Sequence, residues 1–263
     1  MKNIGEYIAI TVAFNFVLIA SIIYIFLISQ RKKTRYLQQM QQMREEQQNL
    51  LIEAAVRSEE TERHRIAEQL HDEVGALLSA TKLHFSAAAN NKLGPDELRV
   101  FARSKELLDI SIQKVRSISH NLHSSILKEL GLCEAIRHFV HQTTHDTQLI
   151  TTLKLDEACN NLDDDREVTV YRLFQELLNN ILKHSEATML SVHTHQQPNT
   201  IVLELLHNGK GLSQSEFERL RYESKGLGLK NIQNRIILLK GDIHYQLGVP
   251  THKVTVTIPH VPE

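Results

Sequence analysis

Cysteine is scarce in this chain. Cys133 and Cys159 are the only two in 263 residues, they lie far apart, and no CxxC spacing occurs. A disulfide framework is not expected, and reduced thiols in a cytosolic domain are the plain reading. A surplus of one charge is missing too: 30 Lys and Arg stand against 31 Asp and Glu. Direct nucleic-acid binding through phosphate attraction is therefore not expected, since such domains carry a clear basic excess. Charge is absent altogether from the 22 residues Tyr7 to Ile28, a length that spans about 30 Å of hydrocarbon as a helix. No small-x-small cleavage site follows, so a removable signal peptide is disfavoured. Arg31, Lys32, Lys33 and Arg35 follow the run and only Lys2 precedes it, which places the C-terminal side in the cytoplasm. The expectation is a single-pass anchor, residues 1–33, in the inner (cytoplasmic) membrane, with about six residues beyond it and no extracytoplasmic sensor domain.

Glycine and proline are absent from residues 34–63, so nothing there breaks a helix. Tyr36, Met40, Met43, Gln47, Leu50 and Ala54 alternate by four and three residues, a weak heptad. Residues 34–58 are either a solvated helical linker or a parallel coiled coil. From residue 59 the pattern strengthens, with Ile66, Leu70, Val74, Leu77 and Thr81 forming one helical stripe. Asn90, Asn91, Gly94 and Pro95 break it, and Pro95-Asp96 suits the start of another helix. That helix carries Phe101, Leu108, Ile112, Val115, Leu122 and Ile126 on its own stripe. Residues 59–128 thus read as an antiparallel helical hairpin with one apolar face, and two copies would close a four-helix bundle as a homodimer.

After Gly131 the texture becomes mixed. Gln148–Leu155, Met189–His195, Ile201–Leu206 and Lys253–Ile258 read as strands, and Glu134–His145, Arg166–His184 and Lys230–Leu239 as helices. The fold class is α+β and multi-domain, with residues 129–263 as a separate domain of helices on one sheet face.

Four constellations carry chemistry. In residues 62–75, His71 follows stripe residue Leu70, about 100° around the helix and toward solvent. An exposed imidazole offers a nitrogen lone pair at neutral pH, neighbouring Asp72 suits the proton or the tautomer, and Gly75 is expected to remove bulk beside the ring. In QELLNNILKHSEA, residues 175–187, Glu176, Asn180 and Lys183 share a helix face, and the Asn180 amide oxygen suits Mg²⁺. His207, Asn208, Gly209 and Gly211 follow a strand. Gly226 and Gly228 sit in a glycine-rich loop that enters a helix, where backbone N–H groups favour phosphate.

In this order and spacing the motifs resemble the NarL-type sensor histidine kinases over roughly residues 60–260. The resemblance implies a dimerisation and phosphotransfer hairpin followed by a Bergerat-type α/β sandwich that binds ATP. It implies His71 as phosphoacceptor, Asp72 as its acid-base partner and Asn180 as the Mg²⁺ ligand. Glu176, Lys183 and His184 are implied near the phosphates, with the glycine boxes at Gly209, Gly211, Gly226 and Gly228. A response regulator with a receiver domain is the implied acceptor. Three positions depart from the family. Ala76 replaces a Gln implied in dephosphorylating the regulator. His207 replaces an Asp implied to accept from the adenine amino group. Thr251-His252 replaces Gly-Thr in the same pocket. A scaffold that has lost catalysis would accommodate these changes, and a Bergerat-fold ATPase would need no ERHRIAEQLHD. His138, His141 and His145 share one helix face, and His193 and His195 one strand face. Solvated surfaces rather than metal sites are expected for both.

Overall fold

The computed structural model describes residues 2–88, 94–122, 125–145, 147–156, 162–222 and 227–259. Two compact units emerge, residues 1–51 and 52–263. The first unit is helix throughout its described length, part of α1 (Lys2–Gln69). It holds an 18-residue window of mean hydropathy 1.7, long and apolar enough to cross a membrane. Phe14, Phe16, Val17 and Ile19 are all exposed there.

In the second unit α1 passes into a π-helical turn, Leu70–Gly75, and then into α2 (Ala76–Ala88). The expected break at Asn90 and Asn91 lies outside the described residues. Helix α3 (Pro95–Leu122) packs on α1 and α2. Phe85 stacks on Phe101 with centroids 4.5 Å apart, Lys82 pairs with Asp109 at 2.5 Å, and Ser119 Oγ donates to the Ala67 carbonyl at 2.9 Å. Positions that descend along one helix meet positions that rise along the other. Val74 and Leu77 on the first stripe are exposed.

Helix α4 (Ser125–Thr144) is interrupted at Gly131, whose φ of 78° no helical residue adopts. Its second part buries Leu132, Ala135, Ile136, Phe139 and Val140. A five-stranded sheet follows in the order β1-β2-β3-β5-β4. Its strands are β1 (Ile150–Lys154), β2 (Met189–Gln197), β3 (Thr200–His207), β4 (Asp242–Gln246) and β5 (His252–Pro259). Among the described residues β1 and β2 pair in parallel and the other neighbours pair antiparallel. Helices α5 (Asp164–His184) and α7 (Leu227–Leu238) pack on the same core as α4. Asp163 caps α5 by accepting from the Arg166 N–H at 2.9 Å. The sheet face toward these helices is read off the twofold alternation: Leu190 and Val192, then Ile201, Leu203 and Leu205, then Val254, Val256 and Ile258 are all buried.

Besides the π turn, two further elements had no counterpart in the sequence reading. Helix α6 (Gln214–Leu220) opens on a capping box between Ser213 and Glu216, a local signal for a helix of only seven residues. Strand β4 buries only Ile243 and Tyr245, too short an alternation to stand out before its partner strand is known. Buried Cys133 donates through its thiol to the Asp156 carbonyl at 3.2 Å. Cys159 lies outside the described residues.

Candidate active site

A cavity of about 700 Å³ opens between α5, the start of α7 and the inner face of β3, β4 and β5. Helical periodicity explains the α5 side, because Glu176, Asn180, Lys183 and His184 recur at three- and four-residue steps and all line the cavity. Sheet register explains the floor. His207 is the last residue of β3 and continues the inward row of Ile201, Leu203 and Leu205. Its cross-strand partner on β5 is His252, which therefore shares the face.

The two imidazoles stand 5.6 Å apart, centroid to centroid. His207 is only 5% exposed, and its Nδ1 has no hydrogen-bond partner. Burial, and secondarily the neighbouring His252, holds His207 below the usual histidine pKa, so the ring is neutral at pH 7. His252 Nδ1 accepts from the Gly248 N–H at 3.3 Å. A built Cβ on Gly211 would lie 2.5 Å from Cγ of His252, so a residue without a side chain leaves that ring its place. Tyr245 also lines the cavity, stacked on Phe217 at 4.8 Å. Its burial pushes the phenol well above its usual pKa.

Asn208 and Gly209 have different duties. The Asn208 amide oxygen accepts from the N–H groups of Thr188 at 3.0 Å and Met189 at 2.9 Å, so it ties down the entry to β2 rather than facing the cavity. A Cβ built on Gly209 would collide with the Ser185 carbonyl and fall 2.8 Å from the Ala187 nitrogen, so only glycine fits there. Gly228 borders Glu176 and Asn180, where a Cβ would sit 2.5 Å from Glu176 Oε1 and 3.4 Å from Asn180 Oδ1. Gly226 lies outside the described residues. The Asn180 amide nitrogen is buried without a partner. Hard oxygen donors, an unpaired amide and a close-approach glycine at a helix start together form a set that fits a magnesium-bound polyphosphate.

His71 sits in the π turn with its side chain 67% exposed. Its Nδ1 is 3.1 Å from Asp72 Oδ1. A carboxylate only accepts, so Nδ1 carries the proton and Nε2 presents its lone pair to solvent. Gly75 does not clear space beside the ring, contrary to expectation. A built Cβ there would meet nothing closer than the Leu70 carbonyl at 3.6 Å.

Comparison with known proteins matches residues 62–127 to the family described as histidine kinase. Residues 165–263 match the one described as histidine kinase-, DNA gyrase B- and HSP90-like ATPase. The chain belongs to the NarL-type sensor histidine kinases. Among its relatives is the signal transduction histidine-protein kinase/phosphatase UhpB of Salmonella typhimurium, 26% identical over 87% of this chain and 45% of that one. The histidine-protein kinase/phosphatase DegS of Brevibacillus brevis is 24% identical over 72% of this chain and 48% of its own. The oxygen sensor histidine kinase NreB of Staphylococcus carnosus is 26% identical over 78% and 58%. The chain spans about half the length of these curated relatives.

In this chain Tyr245, Lys253 and Leu212 line the cavity without any motif that marks them in sequence, and Lys210 joins them from within the run 207–211. They arrive there by strand register and by the loop after β3. Also unmarked are Arg172 and Arg235, buried arginines that pair with Glu60 and Glu59. His138, His141 and His145 are exposed, and among the described residues no group of three or more His, Cys, Asp or Glu could hold a metal ion.

Proposed function

We propose that the protein is an ATP-dependent protein-histidine kinase that phosphorylates His71 and passes the phosphoryl group to a receiver domain on a response regulator. The observation that carries this reading is the pairing of two sites in one chain. One is an exposed imidazole whose Nδ1 is engaged by Asp72. The other is a 700 Å³ cavity lined by Glu176, Asn180, Lys183, His184 and Gly228. The lone pair on Nε2 of His71 attacks the γ-phosphorus, the bond from that phosphorus to the ADP oxygen breaks, and ADP leaves. Asp72 keeps the ring in the attacking tautomer and stabilises the positive charge that develops on it. Asn180 Oδ1, with Glu176 nearby, would hold Mg²⁺, which offsets charge on the phosphate oxygens when bound. Lys183 and Lys210 add cationic screening, and the start of α7 presents backbone N–H groups.

The same reading assigns residues 59–128 to a hairpin that dimerises as a four-helix bundle and residues 129–263 to ATP binding. Exposed Leu77, Leu83, Val100 and Ile110 supply apolar surface that a second copy would cover. Exposed Met40, Met43 and Leu50 support a coiled-coil linker over residues 34–58. Residues 1–33 anchor the protein in the inner membrane through one helix, with the kinase part in the cytoplasm. Incubation of the full chain with γ-labelled ATP tests the proposal. Acid-labile, base-stable label on the protein is expected. Free phosphate without labelled protein would point to an ATPase, and no turnover to a scaffold.

A further inference from the structure

The cavity has two chemical sides. Its helix side is polar and charged, with Glu176, Asn180, Lys183 and His184 on α5 and Gly228 at the start of α7. Its sheet side is apolar, with Tyr245 and Val254, and carries the two imidazoles of His207 and His252. Phosphates belong with the first side, which leaves the flat, weakly polar base for the second. Among the groups on that floor, His207 has a deeply buried ring nitrogen without a partner, Nδ1.

Because nothing bonds the enclosed Nδ1, the tautomer of the ring that lines the base side of the cavity is not fixed, and the tautomer decides what the ring reads. A carboxylate can only accept a hydrogen bond, so it admits an amino group and repels an oxo group. A neutral imidazole carries one donor and one acceptor, and a tautomer change exchanges them. His252 is not equally adaptable, because its Nδ1 accepts from the Gly248 N–H and the proton is thereby kept on Nε2. No such bond fixes His207 Nδ1. With the proton on the enclosed Nδ1, Nε2 accepts from a 6-amino group, and with the proton on Nε2 it donates to a 6-oxo group.

Resting on the nucleotide reading of this cavity, we propose that His207 makes the base pocket tolerant of either substituent at purine position 6. The site then takes inosine and guanosine triphosphates as well as ATP. Leaving one such buried group unmatched would otherwise cost about five- to 150-fold in affinity.

Competition binding on the full-length protein decides the matter, with a fluorescent ATP analogue displaced by ATP and by inosine triphosphate at pH 7.5. The two ligands differ at position 6 and at the adjoining N1 proton. The expected affinity ratio is under about tenfold for the natural protein, and His207→Asp is expected to widen it about fivefold or more, chiefly by losing inosine triphosphate. His207→Asn, whose amide both donates and accepts, keeps the narrow ratio and serves if the Asp variant does not fold. A natural ratio above about tenfold overturns the proposal, as does a ratio that His207→Asp leaves unchanged. Failure of ATP itself to displace the probe would bring down the nucleotide reading and this inference with it.

Discussion

The guanidinium of Arg172 on α5 grips the carboxylate of Glu60 on α1 through two hydrogen bonds, of 2.9 and 2.6 Å, across 112 residues of sequence. The Arg172 side chain is 3% exposed, and it also donates to the Leu122 carbonyl at 2.6 Å and to Gln175 at 2.9 Å. Beside it, Arg235 on α7 reaches Glu59 at 3.2 Å. Burial pushes the Glu59 carboxyl up, but Arg235 and Arg63 outweigh it and hold the pKa below the usual carboxylate range. The helix that leads into His71 is thereby fastened to the two helices that frame the cavity.

Breaking that fastening from one side should be costly. Glu60→Ala leaves the Arg172 guanidinium buried and short of its anion, a loss of about 3 kcal/mol, at the low end for a buried pair because Glu60 is partly exposed. Hydrogen exchange should show α1 from residue 52 onward and the first half of α5 opening together. Glu60→Leu with Arg172→Met should recover most of the loss, since an apolar pair needs no charge partner. A double-mutant cycle with zero coupling would show that the contact contributes nothing.

Asp72 is expected to act on rate rather than on ATP binding, because it touches the His71 ring and does not line the cavity. Asp72→Asn should slow labelling of His71 by a factor on the order of 10²–10⁴. His71→Ala should abolish labelling with ATP affinity unchanged. Single-turnover labelling and ATP titration together check this, and label persisting in His71→Ala would move the phosphoacceptor elsewhere.

Acid should weaken ATP binding through His207. Its pKa lies below the usual 6.5 in the folded protein, so the folded state holds the neutral form more strongly than the unfolded chain does. The associated stability is present above about 6.5 and is lost as pH falls through the lower, folded value. ATP affinity follows the same window, because an imidazolium no longer accepts from an amino group. The fall should be about five- to 150-fold. Charged and titratable groups that line the same cavity are His252 on β5, Tyr245 on β4, Glu176, Lys183 and His184 on α5, and Lys210, while the Lys253 side chain pairs with Glu204. His207→Asp should remove the His207 component while leaving theirs, so parallel titration curves for the two proteins would reject the assignment.

Gly211 and His252 compete for one space. A Cβ at position 211 would stand 2.5 Å from the imidazole, so Gly211→Ala should push His252 off its hydrogen bond to Gly248. ATP affinity should drop about tenfold, by analogy with one lost buried hydrogen bond. Combining Gly211→Ala with His252→Ala should relieve the clash, so that the second change costs less in the variant than in the natural protein. Equal cost in both backgrounds, read by ATP titration, would show no such coupling.

Dephosphorylation of the regulator should be slow, because Ala76 offers no amide to position water. Position 76 follows a turn with an i→i+5 repeat, which brings it nearer to His71 around the axis than a regular α-helix would. Ala76→Gln should therefore speed release of phosphate from the phosphorylated regulator, measured with the purified receiver domain. Rapid clearance by the natural protein would contradict this.

Much of this protein was legible in local signals. Apolar stripes at helical spacing outlined the helices on either side of Gly94, and alternation outlined four strands to within two residues, because both patterns report which face is buried. Glu176, Asn180, Lys183 and His184 could be grouped beforehand, since one helix fixes their spacing. His71 could be expected in solvent from its step beyond Leu70.

Only the tertiary structure decided the rest, for reasons of distance along the chain. His207 and His252 become partners because β3 and β5 pair in register although the two residues stand 45 positions apart in sequence, and no local period records that. Tyr245 enters the cavity by the same route. The π turn around His71 shifts the helical phase by a residue that a 3.6-residue repeat does not reveal. Nothing in the local sequence singles out Arg172 and Arg235. They are buried because α1 lays two glutamates over them, and only the packing of distant segments can turn an exposed cation into an enclosed one.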